Sequence, residues 1–308
     1  MISVKLEEFI DTKNLDKLAE LYEVMTEERL SAKEIGINYR VINHWDEKGI
    51  IRFKRATIGG NRKFSFVDFI WIKIVEELRS FGVQLPIIKK IADNIYEPLP
   101  MKELMENFAN NLDSVKNYEG DGKEEFINFI KSGAYKEADF SEMDFSFSYL
   151  HVLIAEAIAT RNPTTLIVFS DGEWFPYIKE NEHLYSKELL YKKEFNSQVR
   201  ISITDLIFKF ILEDYLTEYF NELHLFTYQE SKLLYHIKGG TYKKVLVLFK
   251  SKKQEPLEIK KSKKAQEEIV RIFRAKEYRE FILIDNKDKE FRIRANEPDK
   301  ISKLSLLA

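Results

Sequence analysis

Cysteine is absent from the 308 residues, which excludes disulfides, thiolate metal sites, cysteine nucleophiles and the sensing chemistry built on thiolates. Histidine is scarce, at 5, so no zinc or other metal ligand set is expected. An excess of charge of either sign is missing as well. The 49 Lys and Arg against 51 Asp and Glu leave a formal net charge of -2, so affinity for a polyanion has to come from a local basic patch. No apolar run is long and charge-free enough to span a bilayer, and Met1 to Asp11 lacks the basic start and apolar stretch of a leader. A cytoplasmic protein with no membrane partner is therefore expected. Phosphate-binding glycine loops, nucleophile elbows and metal-ligand spacings are also lacking, so the expectation is no enzyme, no catalytic residue and no cofactor. Neither a fixed-period repeat nor a low-complexity tract is found.

What is present is a folding composition: 44% hydrophobic and 32% charged residues, with 13% aromatics, which argues against wholesale disorder. The length suits roughly two or three cores. Five segments are expected: a helical extension over 1–25, a helix-turn-helix unit over 26–97, a helical connector over 98–135, a mixed α+β region over 136–238 and a ββαββ-like unit over 239–308. The fold class is α+β.

Asn14 is placed to cap a helix through Leu15, Leu18, Leu21 and Met25, whose spacing makes one apolar stripe suited to packing. The stretch around it is acidic and repels nucleic acid. From Leu30 the texture changes. Ser31 caps a short helix ending at Gly36, and a second helix from Asn38 runs to Lys48 before Gly49. Ile50 to Phe53 and Arg62 to Phe64 read as two strands around Gly59-Gly60, a small hairpin bearing Arg52, Lys54, Arg55, Arg62 and Lys63. Val67 to Phe81 and Leu85 to Ile95 read as further helices, the second accommodating Pro86 in its first turn.

On the second helix Val41, Ile42 and Trp45 are expected to face the core, leaving Arg40 and Asn43, with Tyr39 and His44, outward. Arg and Asn are side chains able to make paired hydrogen bonds to base edges. The hairpin cations beside them suit phosphates, which position without specifying.

The run Gly36-Ile-Asn-Tyr-Arg-Val-Ile-Asn-His-Trp-Asp-Glu-Lys-Gly-Ile-Ile51 resembles the signature of the MerR family, and Gly60-Asn-Arg-Lys-Phe-Ser65 with Asp68, Leu78-Arg79, Gly82-Val83 and Leu85 to Ile88 resembles that family's wing and following helix pair. The resemblance implies an N-terminal MerR-like winged helix-turn-helix that binds double-stranded DNA. Its DNA-binding set is Asn38, Tyr39, Arg40, Asn43, His44, Arg52, Lys54, Arg55, Asn61, Arg62 and Lys63, with Arg40 and Asn43 reading bases. It further implies a transcription regulator reading a palindromic operator as a homodimer, RNA polymerase at the promoter as a partner, and a small-molecule or protein effector. The alternative is a DNA architectural or recombination accessory protein, excisionase-like, of a mobile element; a third class is an enzyme with an appended DNA-binding domain. Three features depart from the family pattern: a shorter first helix, Asn43 where an Arg is usual, and His44-Trp45 in place of a Tyr pair.

Beyond this unit, Met101 to Tyr118 has helical periodicity and stands where the family places a dimer-forming helix, and Asn117 to Lys123 reads as a linker. A helix over Phe147 to Ala159 precedes strands at Thr165 to Phe169, Trp174 to Ile178 and Val199 to Ser202. Asp171-Gly172-Glu173 reads as a hairpin turn before it reads as an acidic pair, and Trp174, Phe175, Tyr177, Tyr185 and Tyr191 read as core before they read as a pocket lining. A long apolar helix over Asp205 to Phe220 and a shorter one ending at Ile237 come next. Strands at Tyr242 to Phe249 and Leu257 to Ile259, a helix over Lys263 to Arg274, and a hairpin of Phe281 to Asp285 with Phe291 to Ala295 close the chain. The lysines of Lys250 to Lys264 either extend a DNA footprint or guard a sheet edge, the second reading being favoured.

Overall fold

The computed structural model describes residues 15–52, 62–99, 102, 105–106, 109, 123–138, 147–212, 223, 226–251, 253–262, 264–275 and 277–294. They belong to two compact units, 1–207 and 208–308. Of the segment boundaries read from the sequence, those at 25, 97 and 135 fall inside the first unit and that at 238 inside the second.

The first unit opens with α1 (Leu15–Thr26), whose Leu21 and Met25 are buried. Leu30–Ser31 (β1) leads into the four-residue α2 (Ala32–Ile35) and then α3 (Tyr39–Glu47). Lys63–Phe64 (β2) is followed by α4 (Phe66–Ser80) and α5 (Leu85–Ile95). Helix α4 buries Phe66, Val67, Phe69, Ile70, Trp71, Ile72, Ile74, Val75 and Leu78. An apolar surface that reaches nearly round the helix needs neighbours on several sides, and α4 has them in α1, α5, a later helix and a strand of the next sheet.

The expected pairing of the wing is corrected. Strand β2 pairs antiparallel with β1, Leu30 opposite Phe64, and Ile50 to Arg52 form no strand. Ile50 and Ile51 are both buried, at 0% and 1% exposure. A strand alternates its side chains between two faces, so two adjacent core residues hold this stretch as a plug instead. The rest of the expected wing, residues 53–61, lies outside the described residues, as do most of the expected helix over Met101 to Tyr118 and the linker up to residue 122.

After α6 (Lys123–Ser132), helix α7 (Tyr149–Thr160) leads into β3 (Thr164–Phe169), β4 (Trp174–Ile178), α8 (Lys187–Phe195) and β5 (Gln198–Ser202). The sheet order is β4-β3-β5 with both pairs antiparallel. Gly172, at φ 79, makes the β3–β4 turn, a backbone region that a side chain disfavours. Helix α7 packs on α1, α4 and β3. Val152, Ile167, Phe169, Phe175, Ile178, Tyr185 and Leu189 form a shared core with Leu99 and Phe147.

Helix α9 (Ile203–Leu212) carries the unit boundary; its expected continuation to Phe220 lies outside the described residues. In the second unit α10 (Tyr228–Lys238) precedes β6 (Tyr242–Phe249), β7 (Leu257–Lys260), α11 (Ala265–Ala275), β8 (Tyr278–Asp285) and β9 (Glu290–Arg294). The all-antiparallel order β7-β6-β8-β9 is the expected ββαββ arrangement. Helices α10 and α11 pack on each other and on the sheet. The ring of Phe273 meets those of Phe226, Tyr278 and Phe281, and the Tyr278 hydroxyl donates to buried Glu230 at 2.7 Å.

Candidate nucleic-acid interface

Three local devices place α3. Ser31 and Glu34 make a reciprocal cap on α2: the Ser31 backbone N–H and hydroxyl each donate to Glu34 Oε2 at 2.6 Å, and the Glu34 N–H donates back to Ser31 Oγ at 3.4 Å. The Ser31 hydroxyl, with its backbone N–H, holds the Glu34 carboxyl below its ordinary value. Gly36 then ends α2 at φ 74, and Asn38 Oδ1 accepts the Arg40 N–H at 2.8 Å to start α3.

Helix α3 buries Ile42 at 0% and Trp45 at 6% exposure, three residues apart. Behind it the Trp71 indole N–H of α4 donates to the Ile50 carbonyl at 2.9 Å, which ties the exit of α3 to the core helix. At about 100° per residue, Arg40, Asn43, His44 and Glu47 share the face opposite Ile42 and Trp45. Arg40, His44 and Glu47 are exposed and Asn43 partly so. Val41 was expected in the core and is 38% exposed. It lies a step round the helix from Ile42, and the two-residue inward stripe leaves no room for it. Glu47 joins the outward face without having been foreseen, although its spacing of four from Asn43 was the signal.

The cations beside α3 are differently placed. Arg62 Nη2 donates to Asp46 Oδ2 at 2.7 Å with side chains only 12% and 16% exposed, and its guanidinium lies 6.0 Å from the Tyr39 ring centroid. Arg62 Nη1 is buried with no hydrogen-bond partner among the described residues. Arg62 therefore braces α3 from the side. Lys63 is exposed and donates to the Arg29 carbonyl at 3.3 Å. Arg52 pairs with Asp93, which Lys89 also holds at 2.7 Å; Lys89 first and then Arg52 keep that carboxyl below its ordinary value. Among the described residues Arg40 and His44 make no ion pair. Lys54, Arg55 and Asn61 lie outside the described residues.

The other sequence candidates resolve as structure. The Glu173 N–H donates to Asp171 Oδ1 at 2.9 Å within the β3–β4 turn, and Lys192 holds the Glu173 carboxylate. Phe175 and Tyr185 are core, the Tyr185 hydroxyl accepting the Ile178 N–H at 2.8 Å, whereas Tyr191 is 65% exposed. In the second unit Lys244 pairs with Glu258 at 2.8 Å, Lys243 with Asp288 at 2.6 Å, and Lys261 donates to the Gly240 carbonyl. Among the described residues no group of His, Asp and Glu is placed to hold a metal ion, and no helix is long and apolar enough to cross a membrane.

Residues 31–95 match the family model described as MerR HTH family regulatory protein. The matched segment runs from the Ser31 cap to the last residue of α5. This N-terminal region is MerR-like, and the match points to DNA binding and regulation of transcription. No curated protein and no solved structure matches the chain.

Proposed function

We propose that the chain is a sequence-specific, DNA-binding transcription regulator that enters the major groove with α3 and reads a palindromic operator as a homodimer. The observation carrying this reading is the outward face of α3. Arg40, Asn43 and His44 stand on it, Ile42 and Trp45 anchor the opposite side, and Asn38 fixes the helix start. Arg40 and Asn43 read base edges, Tyr39 and His44 flank them, and Lys63 neutralises a phosphate. Arg62, through Asp46, holds the helix at its angle, and Arg52 supports it from the α5 side. Glu47 on the same face repels phosphate and suits a cytosine amino group. Two-fold operator symmetry follows from two-fold protein symmetry. The reading places the protein in the cytoplasm, with polymerase at the promoter as its partner, and assigns it no catalysis.

Genome-wide mapping of binding sites with the purified full chain, followed by footprinting, tests the proposal. The expected result is protected inverted repeats overlapping promoters. Sites confined to the ends of mobile elements would support an excisionase-like role instead. A single asymmetric half-site bound by a monomer would remove the dimer.

A further inference from the structure

Helix α3 carries one side chain whose placement its own packing does not explain. Val41 is 38% exposed. The other large hydrophobic side chains exposed among the described residues, Tyr39, Phe81, Tyr191, Phe195 and Tyr235, are all aromatic, so Val41 is the one aliphatic residue in that set. Valine is also a weak helix former, because its branched side chain loses rotamer freedom against the preceding turn. At an exposed helical position it therefore gains little from burial and nothing from propensity. A surface that meets the helix from outside is what a valine here can use.

The position of Val41 on α3 narrows what that surface is. Its backbone N–H donates to the Asn38 carbonyl at 2.9 Å, which holds it in the first turn, the part of a recognition helix that reaches base edges. At about 100° per residue, Val41 stands a step round from Arg40, on the shoulder between outward His44 and buried Trp45. The opposite shoulder, with Tyr39 and Asp46, is taken by Arg62, which donates to Asp46 at 2.7 Å and lies 6.0 Å from the Tyr39 ring centroid. Lys48, seven residues after Val41 and about 10 Å further along the axis, is exposed on the same line. An apolar group near the helix start and a cation beyond it suit one wall of a major groove. There the C5-methyl of thymine stands at the base edge and phosphates line the rim.

We propose that Val41 is a specificity-determining residue of the α3 reading face, packing its methyl groups on the C5-methyl of one thymine in each half-site. The inference rests on the reading of the chain as a sequence-specific DNA-binding regulator. Arg40 and Asn43 offer hydrogen bonds, which read the polar groups of a base edge, whereas the thymine methyl is read by apolar contact. Bringing the methyl groups together removes apolar area from water. A β-branched side chain on a helix, already confined to one main χ1 rotamer, loses little freedom in making the contact. One buried methyl corresponds to about a threefold to fourfold preference for the base that carries it.

The test removes the methyl from the DNA as well as from the protein. The full chain selects its preferred duplex from a random library, and each thymine of that duplex is replaced in turn by deoxyuridine, which lacks only the C5-methyl. At one thymine per half-site the wild type should bind about threefold more weakly after the replacement. Val41→Ala should bind the unmodified duplex about as weakly, and the two changes together should weaken binding no further than either alone, the coupling that marks direct contact. A wild type indifferent to every replacement, or losses that multiply independently at every thymine, would overturn the proposal. A lowered melting temperature of Val41→Ala with no such coupling would return the residue to a packing role. A chain that enriches no duplex from the library loses the regulator reading and Val41 with it. Tight binding to a selected duplex without the coupling removes Val41 alone.

Discussion

The segment around α3 and the layer formed by α7 with the β4-β3-β5 sheet lie in one compact unit and use the same residue types for opposite purposes. Arg40 projects from an exposed helix face, whereas Lys193 in α8 is 9% exposed and its ammonium is held by Glu182 at 2.5 Å and the Tyr177 hydroxyl at 3.3 Å. Even beside α3 the distinction recurs, since Arg62 is drawn inward onto Asp46. A cation in the sequence becomes part of a polyanion-binding surface only where the fold leaves it to solvent. The helix starts differ as well. Asp68, three residues after Ser65, accepts the Ser65 backbone N–H at 2.8 Å to cap α4, while His151 Nδ1, three after Ser148, accepts the Ser148 N–H at 3.2 Å to cap α7.

The largest expected effect tests whether the core of the α3 segment is as tightly built as the sheet layer. Trp45→Ala should cost roughly 3–5 kcal/mol in urea unfolding followed by circular dichroism, with DNA affinity lost as a consequence. An unchanged unfolding midpoint together with lost affinity would make Trp45 a contact residue.

Next in size are two opposite pH dependences that set the capping residues apart. Burial raises the Asp68 carboxyl from 3.8 to about 6, against the Ser65 hydrogen bonds that lower it. The folded chain therefore binds the extra proton between those values, and stability falls as pH rises through about 4 to 6. Burial lowers His151 from 6.5 to about 4, so there the unfolded chain binds the extra proton and stability rises with pH over nearly the same window. Each amounts to about 3 kcal/mol at most, and they nearly cancel. All 3 tryptophans, Trp45, Trp71 and Trp174, lie in the first unit, so fluorescence-monitored unfolding from pH 4 to 7 isolates it. The wild type should be nearly flat, Asp68→Asn should become more stable with rising pH, and His151→Gln less stable. Parallel profiles for the two variants would show that the caps do not titrate as described.

A smaller effect separates bracing from contact. Arg62→Ala should lose roughly 2 kcal/mol of stability, since it strands Asp46 in a poorly solvated site, and should leave the salt dependence of DNA binding as it was. A drop of about 1 in that slope with full stability would make Arg62 a phosphate contact. Arg40→Ala and Asn43→Ala should each lose about 1–2 kcal/mol of preference for the specific duplex over a scrambled one, with no change in melting. A wild-type ratio in both would move the reading face elsewhere. Least of all, Lys63→Ala should reduce the salt slope by about 1 and cost little stability, while Lys253→Ala and Lys260→Ala in the second unit should leave it alone. The opposite pattern would place DNA on the β6–β7 side.

Most elements of the fold were legible because their signals are local. Ser31, Gly36 and Asn38 punctuate the helix-turn-helix through contacts within four residues, and runs rich in β-branched and aromatic residues mark β6 and β8. Helix α8 escaped notice because Tyr191 and Phe195 are exposed, at 65% and 69%, while Lys193 is buried, which scrambles the apolar period that marks a helix. The candidate site was legible as a face and not as a set of free charges.

Sequence alone thus determined where the chain turns, where its helices start and which side of α3 faces outward, since caps, φ-permissive glycines and side-chain periodicity act within a turn or two of backbone. Only the tertiary structure decided that Lys63–Phe64 pairs with Leu30–Ser31, that Ile50 and Ile51 plug a core, that Arg62 belongs to Asp46, and that Lys193 is drawn in against Glu182. Each of these depends on which distant surfaces exclude water from one another. Burial, and with it the strength of every charge and hydrogen bond, is a property of that assembly and is not carried by any local stretch of residues.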